Sequence, residues 1–164
     1  MNQGEDTNQQ TGRAQVKDLK ALTVPAGKTL PYLTEHNVYS CPVNHPKHSA
    51  AVEIFAPRDI DGTIRRYYLI KARGVADPMN LVFHPSTNSD VENAVRGYVC
   101  AVRHISGILD EGGMYRFYYL ADSRDESFLP HSPKIDQSGA VHGYISMREL
   151  LSGVPVVHLL ERCV

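Results

Sequence analysis

Two stretches of the chain carry a β-like pattern. Val52-Glu53-Ile54-Phe55-Ala56 and Ile64-Arg65-Arg66-Tyr67-Tyr68-Leu69-Ile70 are rich in β-branched and aromatic residues, the types that suit a pleated, half-buried surface. Between them lies Ile60-Asp61-Gly62, and Asp-Gly between such runs signals a hairpin because glycine takes positive φ at little steric cost. A two-residue turn would set Arg58 opposite Arg65, a like-charge pair that costs energy. A three-residue loop with Gly62 left-handed avoids this, placing Val52 opposite Ile70 and Ile54 opposite Tyr68. Pro57 has no N–H to donate, so the first strand is expected at an edge or ending there.

The pattern changes period after Ser89. Val91, Ala94, Val95, Tyr98, Val99, Ala101, Val102, Ile105, Ile108 and Leu109 fall on one half of a helical wheel, and mostly polar residues on the other. This predicts one amphipathic helix over residues 89–110. Ser89 and Glu92 have capping-box spacing, and Gly112-Gly113 ends the helix. Gly97 and Gly107 lie on its polar face, where each costs about 1 kcal/mol relative to alanine unless another backbone approaches. Shorter runs predict further strands near Asn37–Cys41, at Met79–His84, at Met114–Ala121, at Val141–Ile145 and at Val154–Leu160. A second capping box at Ser146 opens a short helix over about residues 146–152, stopped by Gly153. In the Met114–Ala121 strand, Tyr115, Phe117 and Tyr119 point one way, and Arg116, Tyr118 and Leu120 the other. The expected fold is α+β: a single mixed or mainly antiparallel sheet of about five to seven strands, covered by the long helix and the short one.

Length and composition bound this picture. A chain of 164 residues with 42% hydrophobic and 21% charged residues fits one domain with a real core. Residues 1–20 are Gln/Asn/Thr-rich and nearly free of large apolar residues, so they read as a polar tail preceding a globular domain over residues 21–164. Residues 21–46, punctuated by Pro25, Pro31, Pro42 and Pro46, read as an irregular lead-in. The net charge of −1 argues against a general polyanion binder. No apolar run reaches the roughly 20 residues of a membrane span, and the N-terminus has no apolar secretory segment. Three cysteines, Cys41, Cys100 and Cys163, show no paired spacing and fit a reducing compartment. A soluble, cytoplasmic location is the expectation.

Candidate chemistry is sparse. His36, Cys41, His45 and His48 lie within 13 residues, and thiolate with imidazole suits zinc. Cys41, His45 and His48 are therefore candidate zinc ligands, although their spacing matches no common zinc pattern. Asp122, Asp125 and Glu126 cluster where a strand meets a long loop, a set of oxygen ligands of the kind Mg²⁺ takes. Arg65, Arg66, Tyr67 and Tyr68 with Arg116 and Tyr118 interleave guanidinium and aromatic groups on two strands. On an exposed sheet face they would stack on single-stranded nucleic acid or form a protein interface. His84, His104, His131, His142 and His158 are scattered, and acid–base work by any pair of them requires convergence in space. The chain has no nucleophile elbow, phosphate-binding loop, dinucleotide fingerprint or HExxH.

These features favour a non-enzymatic interaction or assembly protein. It would bind a protein partner or a further copy of itself through the aromatic/Arg surface and the tail, with no cofactor beyond the zinc candidate. The alternatives are a small hydrolase or nuclease using histidines, with or without a metal, and a single-stranded nucleic-acid-binding module.

Overall fold

Alternation along the strands sorts the apolar side chains onto two faces of one mixed sheet. The computed structural model describes residues 19–110, 112–121, 127–136 and 141–164; the acidic cluster at Asp122, Asp125 and Glu126, and the polar tail up to residue 18, lie outside them. The strands in chain order are β1 (Lys20–Pro25), β2 (Val38–Pro42), β3 (Ile54–Arg58), β4 (Tyr68–Ala76), β5 (Tyr115–Ala121), β6 (Lys134–Ile135), β7 (Gly143–Ser146), β8 (Val156–Val157) and β9 (Leu159–Arg162). Seven of them make a sheet in the order β2-β5-β4-β3-β1-β7-β9, and β6 pairs with β8 in a small parallel ladder. Within the large sheet only β1 and β3 run parallel. Three helices complete the described chain: α1 (Leu30–His36), α2 (Ser89–Val102) and α3 (Met147–Leu150). Among the described residues no helix is long and apolar enough to cross a membrane.

One face of the sheet is covered at two places. Over β2, β4 and β5, helix α2 buries Val91, Val95, Tyr98, Val99 and Val102 against Val38, Ala76, Tyr115 and Phe117. Over β1, β3 and β7, helix α3 and the β6–β8 ladder cover Ala21, Ile54, Ala56 and Ile145. The other face holds Leu22, Val24, Tyr39, Phe55, Tyr68, Tyr118, Leu120 and Tyr144 and is closed by curling. Tyr39 on β2 and Phe55 on β3 are separated by two intervening strands, so about 14 Å of flat sheet would lie between them. Their ring centroids are 4.9 Å apart, and Tyr118 lies 6.0 and 6.2 Å from the two. The sheet therefore wraps this aromatic group as a half-barrel. The segment after β2 helps to close the open side, with Lys47 N–H donating to the Val164 carbonyl at 3.1 Å.

The hairpin forms with Gly62 at φ 82° and the expected three-residue loop, since Arg58 bridges Ile64 and Asp59 N–H donates to the Thr63 carbonyl. Beyond the turn the register slips by one: Ile54 faces Leu69, and Phe55 faces Tyr68. Residues 63–67 leave β3 to bond the 127–134 segment, through Ile64 N–H to the Pro133 carbonyl and Tyr67 N–H to the Ser127 carbonyl. Strand β3 is also an inner strand, between β1 and β4, despite Pro57, and its ladder with β4 stops at Phe55, before the proline. The Met79–His84 segment is not a strand but a turn with one bridge, Val75 to His84. The expected final strand divides into β8 and β9, which join different sheets.

The long helix needs two corrections. It ends at Val102, and the chain continues through i→i−3 turns, Ile105 N–H to the Val102 carbonyl and Ile108 N–H to the Ile105 carbonyl. Three-residue spacing keeps Ile105 and Ile108 on the same core, which is why the wheel placed them correctly while overestimating the helix. Its N-cap is Asn88, whose side chain accepts from Val91 N–H at 3.0 Å, rather than Ser89. Asn88→Ala should therefore cost about 1 kcal/mol in chemical denaturation, and Ser89→Ala clearly less; the reverse order would restore Ser89 as the cap. At Gly97 the approaching group is α1, where a Cβ would meet His36 Nδ1 at 3.3 Å.

Candidate active site

The floor of a large cleft is assembled from chain segments that the sequence separates widely. Arg116 on β5 donates to the Pro46 carbonyl at 2.9 Å and to the Val43 carbonyl at 2.7 Å. Arg73, one strand away on β4, donates to the Ser49 carbonyl at 3.1 Å and to the Val52 carbonyl. These two guanidinium groups tie down the loop between β2 and β3, whose Pro42 and Pro46 already restrict its backbone. That loop carries His45 and His48. On the far side, Cys163 N–H donates to the His142 carbonyl at 2.9 Å, extending the β7–β9 ladder and fixing His142 just ahead of β7.

The three histidines meet there. His48 Nε2 lies 2.9 Å from His142 Nδ1, and His48 Nδ1 lies 2.6 Å from the Tyr118 hydroxyl. The rings of His48 and His142 stack with centroids 5.1 Å apart, while His45 meets His142 edge-on at 5.8 Å. Tyr118, His48 and His142 thus form one hydrogen-bonded chain, in which the proton on each shared bond is set by the tautomers. His142 Nε2 makes no hydrogen bond to a described residue, and His142 lines the cleft. Burial first, then the neighbouring His45, Arg58 and Arg116, lowers His142 from 6.5 to about 4. Burial, His142 and the arginines lower His48 to about 3. Both imidazoles are neutral at pH 7. Burial raises Tyr118 well above the ordinary phenol range, so its hydroxyl keeps its proton.

The cleft has a volume of about 1340 Å³. His45, His142, Tyr39, Cys41 and Arg58 lie along it, with Lys28 and Lys134 also on its lining. Arg58 is only 2% exposed. Its Nη2 donates to the carbonyl of Val141, the residue before His142, and its Nη1 is buried with no partner among the described residues.

The residues singled out from the sequence divide between several places. His45 and His48 share the site, but His36 lies against Tyr98 and α2. Cys41 is buried, and burial pushes its thiol up to about 11 against the opposing pull of Arg116. Among the described residues no group of three or more His, Cys, Asp or Glu side chains is placed to hold a metal ion, so Cys41, His45 and His48 are not gathered as a zinc set. The aromatic/Arg set does not form one surface. Tyr68 and Tyr118 are each 3% exposed inside the half-barrel. Arg65 pairs with Asp59 and Asp61 at the hairpin turn, Arg66 lies over the Phe128 ring, and Tyr67 packs beside the α3 cluster. Arg116 sits at the other end of the β4–β5 ladder, clamping the histidine loop.

Two residues of the site were not singled out from the sequence, His142 being named only among the scattered histidines whose acid–base work would require convergence. His142 lies 94 positions from His48, and nothing linear connects them. Arg58 stood out only as a potential like-charge partner of Arg65. The one local signal is an arginine ending an otherwise apolar strand, Ile54-Phe55-Ala56-Pro57. No protein-family model, no curated protein and no solved structure matches the chain.

Proposed function

We propose that the cleft is the active site of a small histidine-based hydrolase acting on an ester. The observation that supports this is the convergence of His45 and His142 at the cleft, with His142 held from behind by His48 and Tyr118. A general base needs a free lone pair, a fixed orientation and a neutral form at working pH. His142 meets these conditions in the tautomer that donates Nδ1–H to His48 and turns Nε2 to the cleft. In that state Nε2 takes a proton from a water molecule as the water oxygen bonds to the electrophilic centre. The bond to the leaving oxygen breaks, and His45, as general acid, supplies the proton that oxygen takes up. Solvent then returns one proton from His142 to His45 and restores both. The positive charge formed on His142 is shared toward His48 through their hydrogen bond.

Arg116 and Arg73 have positioning roles in this scheme, since they hold the loop that carries His45 and His48. Cys41 and Tyr39 are unsuited as nucleophiles, because burial keeps thiol and phenol protonated. The interaction reading favoured by the sequence has less support, because its six residues do not share a surface. The test is turnover of a panel of p-nitrophenyl phosphodiesters, phosphomonoesters and carboxylate esters by the wild-type chain and by His142→Asn. Turnover of at least one class that is lost in the variant supports the proposal; no turnover of any class, or equal turnover by both proteins, removes it.

A further inference from the structure

We propose that Arg58 is the receptor for a phosphate group at the floor of the cleft, so that the ester handled there is a phosphate ester. The second half rests on the hydrolytic reading above; the first does not. Arg58 is almost wholly buried, and among the described residues no carboxylate pairs with it. Burial lowers its guanidinium only to about 10, so it is a full cation at neutral pH. Its neighbour Tyr39 acts to raise it, and burial keeps that phenol neutral. A buried cation without a counter-charge is costly, and a buried donor without an acceptor is uncommon. Arg58 combines both features on the lining of an open cleft. A bound anion resolves both.

The aspartates that share the cleft do not supply that anion. Asp59 accepts from Ile60 N–H at 2.6 Å and pairs with Arg65, and Asp61 accepts from Thr63 N–H at 2.9 Å and also pairs with Arg65. Asp110 accepts from Gly107 N–H, and Asp136 from Leu159 N–H at 3.2 Å. Each is tied to its own turn or strand end, and none reaches Arg58.

Phosphate fits better than carboxylate for two reasons. A flat carboxylate is best held by two parallel N–H···O bonds from the guanidinium fork, whereas Nη2 of Arg58 already uses one of its two N–H groups on the Val141 carbonyl. A tetrahedral phosphate can place one oxygen on Nη1 and still turn its phosphorus toward His142, the next residue along. Lys28 and Lys134 on the cleft lining add attraction for a group of more than one negative charge. In a hydrolytic step Arg58 would also face the charge that grows on the non-bridging oxygens.

The test uses the full chain without substrate. Inorganic phosphate is titrated calorimetrically into wild type, Arg58→Met, Arg58→Lys and His104→Asn, with acetate as the comparison anion. Wild type should bind phosphate and not acetate. Arg58→Met should lose roughly 10- to 100-fold in phosphate affinity, and its ligand-free Tm should stay level or rise, because an unpaired buried charge has been removed. Arg58→Lys keeps the charge, should lose less, and carries the comparison if Arg58→Met does not fold. The exposed-site control His104→Asn should bind phosphate as wild type does. Phosphate affinity unchanged by both Arg58 substitutions, absent from wild type, or matched by acetate would overturn the assignment. Phosphate binding without turnover of any ester by wild type would remove the hydrolytic reading and leave the Arg58 site standing. Turnover abolished by His142→Asn, with no phosphate binding, would do the reverse. A mononucleotide that binds as tightly as a trinucleotide marks a single phosphate ester as the ligand; tighter binding of the trinucleotide marks a phosphodiester chain.

Discussion

His142→Asn should lower turnover by roughly 10²- to 10⁴-fold, the usual contribution of a positioned acid–base group, while the protein stays folded. Asparagine places its amide near the position of Nδ1, so the contact with His48 is retained and only the nitrogen facing the cleft is removed. The loss should therefore appear in kcat, with KM little changed, because a group that acts only on the proton in flight contributes little to ground-state binding. The pH profile adds a second signature. Facing His142 are His45 and His48 from the β2–β3 loop, Arg58 from β3 and Arg116 from β5. With burial, these hold His142 near pKa 4 in the free protein. Protonation below that value removes the base, so the acid limb of kcat/KM should fall near pH 4. An anion on Arg58 cancels part of the positive field, so the limb of kcat should lie at higher pH than the limb of kcat/KM. Two coincident limbs near pH 6.5 would mean that His142 is an ordinary solvated histidine and that another group does the work.

The parts of this site that were legible in the sequence are those built from neighbours in the chain. The alternation in Tyr115–Ala121 assigned Tyr118 and Tyr115 to opposite faces, and the structure has them in different cores. The crowding of His45 and His48 beside Cys41 marked the loop, although the chemistry suggested for it was a metal. Strand β1 was missed for a physical reason. Its residues Ala21, Leu22, Thr23 and Val24 are buried on both faces between β3 and β7, and a strand buried on both sides has no alternation to read. Helix α1 was missed because it buries only Leu33 in seven residues, too few for a period to show. Its signals were local ones, Pro31 in the first turn and Asn37 left-handed at the C-cap. Arg58 is the deeper case. What makes it a candidate receptor is that no acid among the described residues lands beside it, and that depends on where each of those aspartates finds its own partner. Sequence pattern carries no record of that.

Stability should fall as pH drops from about 6.5 toward 4, with a slope that disappears when His48 and His142 are replaced together. Both imidazoles are held neutral in the folded protein, at about 3 and about 4, whereas in the unfolded chain each returns to about 6.5. Below 6.5 the unfolded state binds more protons than the folded state. Its free energy then drops relative to the folded state, and the stability contribution present above pH 6.5 is lost through this window. The two rings share a hydrogen bond and titrate as a pair, so the difference is one to two protons, or about 1.4 to 2.7 kcal/mol per pH unit. The carboxyl of Asp61 is held below its ordinary value by Thr63, so it matters only at lower pH. His158 is raised by Glu149 and has the opposite sign, its contribution being lost as pH climbs through its raised value; added salt suppresses such an exposed pair. Urea unfolding at pH 7, 6 and 5 in added salt measures the slope. The double variant His48→Asn/His142→Asn should be nearly flat over this range, and the exposed-site control His104→Asn should follow wild type. A wild type as stable at pH 5 as at pH 7, or a double variant with the wild-type slope, would show that the Tyr118–His48–His142 chain does not hold its histidines neutral, and with it would go the case for His142 as a base.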